Sequence, residues 1–459
     1  RGEPVASEAS HSWARARVGL GTVCLAITTT IILFRTKSWF VGIVMLAVAL
    51  ACLLPLLFDV LVRCFDCLQE RLLDGAASVL AVTELGNPRT RVRSLAVAAT
   101  GAIAVFGAVS VGGAQVNLQH GLQASASAID AGANVWVAPS GEAGLFAAAP
   151  FRNADIRVLR ALPGVAALGS YRGSFLNWGD RKLWIRAPPS STQQPIPPSQ
   201  LAEGDLAIAD SRIRKGGWAI ISQSLAAEKH LRIGSVFVLP APLPVRLRVA
   251  ALSTNLGWSP GAIILNAGDY VRAWGSSEPS AYEIRTKSGV SPASVRRLVA
   301  QALGPRTGLS VETLGERRGR HYALIDQGLS HFEQIKLLIL VAGALAIAGA
   351  MASMLWQRRD LIAFMKVDGY RRGVLWRWLL CESAIMLVAG CLIGALFGLY
   401  GQLLISHALA TVTGLPVALG VEALIALSSF LLVSVVATAI VAIPGYLAVS
   451  VPASTVTTA

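Results

Sequence analysis

The chain has 459 residues, 54% of them hydrophobic and only 14% charged, against roughly 25% charged in an average soluble domain, and its mean hydropathy is +0.58. This composition excludes a disordered chain, which needs low hydrophobicity and high net charge, and a single soluble domain, whose one core cannot bury so much apolar surface. The net charge of +14 raises nucleic acid as a partner, but no RNA-binding signature, zinc-finger spacing or basic helix with interleaved aromatics is present, and basic residues flanking membrane spans account for the excess.

The apolar residues gather in uncharged runs of 17 or more, the signature of membrane spans. Six are predicted, at about 18–34, 39–62, 94–116, 334–356, 375–405 and 422–447. Arg15 and Arg17 precede the first, and Arg35 and Lys37 occupy the turn after it. Asp59 lies near the inner end of the second span, followed by Arg63 and Arg71, with Arg89, Arg91 and Arg93 before the third. A second basic cluster, from Arg358 to Arg377, separates the fourth span from the fifth. Cytoplasmic loops carry such Lys/Arg excesses. The expected layout is a cytoplasmic N-terminal segment 1–17, a two-span hairpin 18–62, a cytoplasmic loop 63–93, a span 94–116, an outer α/β domain with a stalk 117–330, three spans within 334–447 and a cytoplasmic tail 448–459. The outer region is itself basic, with 23 Lys and Arg against 14 Asp and Glu between residues 115 and 330. Long domains cross the membrane largely regardless of charge. No signal peptide is recognisable.

Residues 117–330 read as mixed α and β. Strands are predicted at 135–137, 183–185, 262–265 and 281–285, and a hairpin pairs 237–239 with 245–249 across a proline-bounded turn. Helices are predicted at 152–161, 223–230, 267–274 and 291–303, the last with Pro292 at its first position. Pro188 to Pro198 is rich in Pro, Ser and Gln and reads as a link between lobes or an exposed loop. The stretch 316–333 turns helical and runs into the fourth span without a proline, which predicts a continuous stalk helix.

Few residues carry recognisable chemistry. No cysteine lies between 68 and 380, so the outer region holds no disulfide, and Cys64-x-x-Cys67 lacks the second pair that would complete a metal site. There is no phosphate-binding loop motif and no H-E-x-x-H. Gly257-Trp258-Ser259-Pro260-Gly261 has the spacing of a nucleophile elbow, but Pro260 supplies no N–H for an oxyanion hole and a strand is predicted next, so the motif reads as a turn and no catalytic or metal residues are assigned. Gly390, Gly394 and Gly398 recur at four-residue spacing, which lets helices approach closely. They serve either packing inside this chain or a pairing face for another membrane subunit. Glu382, early in the fifth span, either reaches the interface or is a buried acid. Between the fourth and fifth spans, residues 358–370 form a short amphipathic helix with Leu361, Ile362 and Met365 on its apolar face and Phe364 beside them. Gly369 is placed to end it. This helix either lies on anionic lipid or docks into a partner.

Here the sequence resembles a known family. Arg358-Arg359-Asp360-Leu361, Lys366, Gly369, Arg371-Arg372, Leu379-Leu380 and Glu382 are similar to the signature of the FtsX-like (MacB/LolC-type) ABC transporter permeases. Leu162-Pro163-Gly164-Val165, Ile221-Ser222 with Leu225-Ala226, and Thr83-Glu84-Leu85 with Asn87-Pro88-Arg89 resemble further family elements, so the likeness covers about 80–459. Asp360 stands one place earlier than the family's usual acid, and the uncharged tail after Pro452-Ala453 lacks the usual arginines. The resemblance implies an α-helical polytopic membrane protein of about six spans with a large mixed α/β extracytoplasmic domain, in the bacterial cytoplasmic (inner) membrane. It implies no enzyme activity or cofactor in this chain, ATP being bound by a separate ABC ATPase subunit. Other implied partners are a second permease half (a missing N-terminal repeat, as the Arg1-Gly2-Glu3 start suggests, or another chain) and an extracytoplasmic accessory protein, with no nucleic acid. The coupling helix would be Arg358, Arg359, Asp360, Leu361, Ile362, Met365, Lys366 and Gly369. The implied function is conversion of ATP hydrolysis into motion of the outer domain, for export or extraction of a lipid, lipoprotein or peptide. The alternative is a non-transporting mechanotransmitter that regulates a cell-wall hydrolase or sensor kinase.

Overall fold

The structure is a computed structural model that describes residues 5–34, 38–72, 81, 83, 85, 88–152, 156–190, 192, 194–304, 308–357 and 359–450. The chain divides into two compact units, one comprising 1–117, 330–408 and 419–459, the other 118–329 and 409–418.

The first unit is helical because its sequence is. In hydrocarbon every backbone N–H and C=O must be satisfied within its own segment. Helices α1 (Val5–Leu33) and α2 (Trp39–Leu72) form the first pair, and Pro55 is accommodated inside α2. Gly21 admits Leu53 at the α1–α2 contact, where an added Cβ would lie 2.7 Å from the leucine Cγ. Helix α3 (Pro88–Asp130) is 43 residues long and extends well beyond the expected span, because the following Asn, Gln, Ser and Ala residues continue the helix without a glycine–proline break. Asp59 on α2 is paired with Arg91 at the start of α3. Among the described residues, six helices are long and apolar enough to cross a membrane. Over their most apolar windows α3 and α12, described below, are 56% buried while the other four are 22–33% buried, so these two form the centre of the unit. Its core includes Leu46, Phe58, Val97, Ala102, Val105, Val109, Ile347, Met386, Leu387 and Leu404.

The second unit carries a ten-stranded mixed sheet: β1 (Val135–Pro139), β2 (Val165–Trp178), β3 (Arg181–Ala187), β4 (Leu201–Glu203), β5 (Trp218–Ser222), β6 (Val236–Leu239), β7 (Val245–Ser253), β8 (Ala262–Leu265), β9 (Ala281–Thr286) and β10 (Leu309–Thr313). The strand order is β10-β1-β9-β2-β3-β8-β5-β7-β4, with β6 pairing β7. The hairpin expected around 240–244 is present, with Leu239 opposite Val245. Strand β2 joins the two halves of the sheet: its first part pairs with β9 and its second with β3. The proline-rich stretch is therefore not the link between lobes. It packs onto the unit, with Ile196 fully buried. The helices are α4 (Glu142–Leu145), α5 (Ile156–Ala161), α6 (Leu206–Lys215), α7 (Gln223–Glu228), α8 (Ala267–Trp274) and α9 (Pro292–Leu303). Helix α5 begins later than expected, with residues 153–155 outside the described residues, and α7 ends before His230, whose φ is +52°. Helix α6 was not foreseen, although Asp205 caps it by accepting from Ile208 N and Ala209 and Ile213 bury one face. Turn 257–261 leads into β8 rather than a helix, which leaves Ser259 without the geometry of a nucleophile elbow.

The helix that begins after β10 is α10 (Leu314–Gln357), unbroken over 44 residues. A capping box starts it: Thr313 N donates to Glu316 Oε2 at 2.8 Å, and Glu316 N donates to Thr313 Oγ1 at 3.3 Å. Then come α11 (Arg359–Val367), α12 (Arg372–Thr413) and α13 (Ala423–Ser450).

Candidate functional site

Helix α11 ends in a Schellman motif. Gly369 has φ +90°, its N–H donates to Lys366 O at 3.2 Å, and Tyr370 N donates to Met365 O at 3.2 Å. An L-residue at Gly369 would be strained by this left-handed position. The helix presents two apolar faces. Ile362 is buried and Met365 half-buried against Ala81, Leu375, Trp378 and Leu379. Phe364 and Val367 are 65% and 72% exposed, with Tyr370 beside them at 43%. Ile362 and Met365 lie on one apolar face, as expected, and this face holds the helix to its own chain, whereas Phe364 lies with Val367 on the exposed side rather than beside them. Arg358 lies outside the described residues, as do the side chains of Arg359, Asp360 and Leu361, whose backbones are helical. Lys366 is half-buried; partial burial, then the nearby Arg372, lowers its pKa.

The glycines of α12 face α3 of the same chain. A Cβ on Gly390 would lie 2.8 Å from Ala98 Cα, one on Gly394 2.8 Å from Ala102 Cα, and one on Gly398 2.7 Å from Val109 Cβ. Of the two roles open from the sequence, these residues fill packing inside the chain. Further along, Ser110 Oγ donates to Gly398 O at 3.2 Å, Asn117 Nδ2 donates to Ser406 Oγ and Gly420 O at 3.0 Å each, and Gln402 Nε2 donates to Gly420 O at 2.9 Å. The Gly420 carbonyl, between α12 and α13, thus accepts from side chains of both central helices. Glu382 is fully buried among the helices.

In the α/β unit, one connection was not legible in the sequence. The segment 409–418 belongs to this unit and is held by Asn255, which is fully buried. Asn255 N donates to Gly414 O at 2.8 Å. Its Nδ2 donates to Ser259 O at 2.8 Å and to Thr413 O, and its Oδ1 accepts from Ser224 Oγ at 2.7 Å. Gly414 has φ +66°, and a Cβ there would lie 2.8 Å from Asn255 Nδ2. Replacing Asn255 by Ala strands two carbonyls and one hydroxyl, at about 1–3 kcal/mol for each group left unsatisfied. We expect N255A to raise hydrogen exchange of the 413–415 amides at least tenfold while the β6–β7 hairpin stays protected, measured on the full chain. Unchanged protection at 413–415 would show that Asn255 is not the clasp.

Residues 335–453 match the family model described as FtsX-like permease C-terminal. This part of the chain is similar to the FtsX-like permease family. Members of that family are permease components of ABC transporters, and the chain is a multi-pass membrane protein with a mixed α/β domain. The matched segment includes α11, the glycine-bearing α12 and α13. No curated protein matches the chain. Among solved structures, the extracellular domain of the noncanonic ABC-type transporter YknZ from Gram-positive bacteria matches at 14% identity and a TM-score of 0.26, over 39% of this chain and 99% of that one.

Proposed function

We propose that the chain is a permease half of an ABC-type transporter in a bacterial cytoplasmic membrane. A separate ATPase binds and hydrolyses ATP, a second permease half completes the pore-forming pair, and residues 117–330 lie on the outer side, where an accessory protein engages them. The observation that carries this reading is α11. It lies inside the permease-family segment, connects two membrane helices, is fixed to its own chain by Ile362 and Met365, and displays Phe364 and Val367 outward. A knob anchored on one face and apolar on the other suits docking into a cleft of a partner protein. The chain offers no nucleotide-binding loop of its own. The unbroken helices α3 and α10 would carry the resulting displacement outward, for export or extraction of a lipid, lipoprotein or peptide.

The test is affinity purification in mild detergent with identification of the co-purifying subunits. An ABC ATPase is expected, and it should be lost from Phe364→Glu/Val367→Glu. Burying unpaired charge at an interface costs roughly several kcal/mol, enough for at least a hundredfold weaker complex. The double variant should still insert and remain monodisperse, whereas Ile362→Glu should not. Wild-type recovery of the same ATPase with the double variant would make α11 a lipid-surface element. A cell-wall hydrolase or sensor kinase in place of export partners would mean regulation rather than transport.

A further inference from the structure

The α/β unit contains an open cleft of about 550 Å³ that the permease reading does not use. Its floor is the face shared by β2 and β9, where Gly169 lies opposite Glu283 and Ala167 opposite Arg285. Residues two apart on a strand share a face, so Glu283 and Arg285 stand side by side over a floor of small residues. The wall at the end of α3 is Ala128, Ala131 and Gly132, again small. The backbone passes close to the acid there: a Cβ on Gly132 would lie 3.5 Å from Glu283 Oε2. Among the lining residues only Glu283 and Arg285 are charged.

The neighbouring charged groups have hydrogen-bond partners of their own, although the Arg186 charge also acts on Glu283. Arg186 on β3 donates from Nε to the Tyr171 hydroxyl at 2.9 Å and lies over the Trp184 ring. Asp130 on α3 is paired with Arg317 on α10, at 3.0 Å, and with His321. Among the described residues the Glu283 carboxylate has no hydrogen-bond or ion-pair partner of its own, yet it faces a cleft large enough to admit one.

We propose that this cleft binds a small zwitterion, with its ammonium group on Glu283 and its carboxylate or phosphate on Arg285. The two side chains spring from positions about 7 Å apart along the strand. That interval suits a ligand whose opposite charges are about two to four bonds apart, contacted at hydrogen-bond distance on each side. An uncharged apolar ligand would desolvate both charges without pairing them, which is costly, and a simple anion would meet the acid. Free amino acids carry this chemistry, and so does an ethanolamine phosphate headgroup. The inference goes beyond the permease reading and does not depend on it.

Binding should depend on pH with a definite sign. Burial raises the Glu283 pKa to about 7, against the opposing pull of Arg186 and with a further push from Asp130; Arg317 and Arg285 also lower it. The arginines remain charged, and Asp130 is held ionised below the usual carboxylate range, so Glu283 is the group that titrates. Its ionised fraction grows from about a tenth at pH 6 to about nine-tenths at pH 8. The ligand ammonium stays protonated throughout.

The experiment is calorimetric titration of the full chain in detergent with two probes, glycine and O-phosphoethanolamine. Glycine binding should tighten about tenfold between pH 6 and pH 8. Glu283→Gln and Arg285→Gln should each weaken it at least tenfold, and Ala167→Leu should abolish it by filling the cleft. Near-ultraviolet circular dichroism checks that each variant is folded. Binding of glycine alone assigns the site to a free amino acid, and binding of phosphoethanolamine alone to a lipid headgroup. Neither probe binding at about 10 mM overturns the proposal, and so does binding that Glu283→Gln leaves unchanged.

Discussion

Gly390→Val combined with Gly394→Val is expected to prevent the helical unit from assembling. Both glycines bring α12 against the backbone of α3, and a Cβ at either would lie 2.8 Å from an alanine Cα. Backbone atoms cannot swing aside as the end of a side chain can, so the two central helices would have to separate. Overpacking a well-packed contact costs about 1–3 kcal/mol per site. Here two sites on one interface are affected, and the loss propagates to Val105, Val109 and Leu387 in the same core. The sum is a large part of the roughly 5–15 kcal/mol by which proteins are stable. Gly349→Val is the control, since nothing lies within 4 Å of a Cβ there. The measurement is recovery of monodisperse protein in detergent and its thermal midpoint. We expect the double variant to lose most of the recovered protein and the control to keep it. Wild-type recovery of the double variant would mean that α3 and α12 are not held this closely.

Arg317→Met should have a comparable effect on the α/β unit. The Arg317 and Asp130 side chains are 3% and 1% exposed, joined at 3.0 Å. The guanidinium also donates to the carbonyls of Gly144, at 3.2 Å, and Leu145, and lies 4.4 Å from the Trp136 ring. Removing one partner of a buried pair leaves an uncompensated charge, at a cost of about 3–5 kcal/mol. The partial remedy is known in direction: Asp130→Leu added to Arg317→Met should recover a large share of the stability, because well-packed apolar groups replace such a pair nearly neutrally. Hydrogen exchange of the β1 amides in the full chain, with Trp136 fluorescence beside it, reads both effects.

The same pair sets the pH dependence. Burial alone would raise the Asp130 pKa, but Arg317 and then His321 outweigh it and hold the carboxyl below its usual range. A carboxylate whose folded pKa is depressed adds stability above its unfolded pKa, about 3.9, and loses it as pH falls through the folded value. In Arg317→Met the main counter-charge is gone while burial remains, so the Asp130 pKa should rise. The variant's deficit should therefore be largest near pH 7 and shrink towards pH 4 as Asp130 takes up a proton. A deficit independent of pH would assign the loss to packing alone.

The membrane helices were legible because their signal is local. An apolar run needs no knowledge of its neighbours to become a helix when its backbone bonds close within the segment. For the same reason α8 was read at its full extent from Ala267 to Trp274, where Asn266 and Gly275 supply both caps. Strand β2 was not read. Its 14 residues include Gly169, Ser170, Arg172, Gly173 and Ser174, and it exists because β9 and β3 pair with its two halves. The β3 pairing is a local hairpin, but the β9 pairing spans more than a hundred residues and leaves no periodicity in either partner that names the other.

The apolar spans, the glycine spacing on α12, the amphipathic segment ended by Gly369 and the unbroken run from Leu314 to Gln357 were determined by the sequence itself, since each depends on residues within one helix. Tertiary structure decided which face each side chain presents. It turned Ile362 and Met365 inward and Phe364 and Val367 outward, set the α12 glycines against α3, buried Glu382, and brought Asn255 to Thr413 and Asp130 to Arg317. Helical periodicity marks which residues share a stripe, but only the neighbour that packs there determines whether the stripe is core or free surface. Buried polar partners are chosen by the need to satisfy each desolvated group, and that need acts through space rather than along the chain.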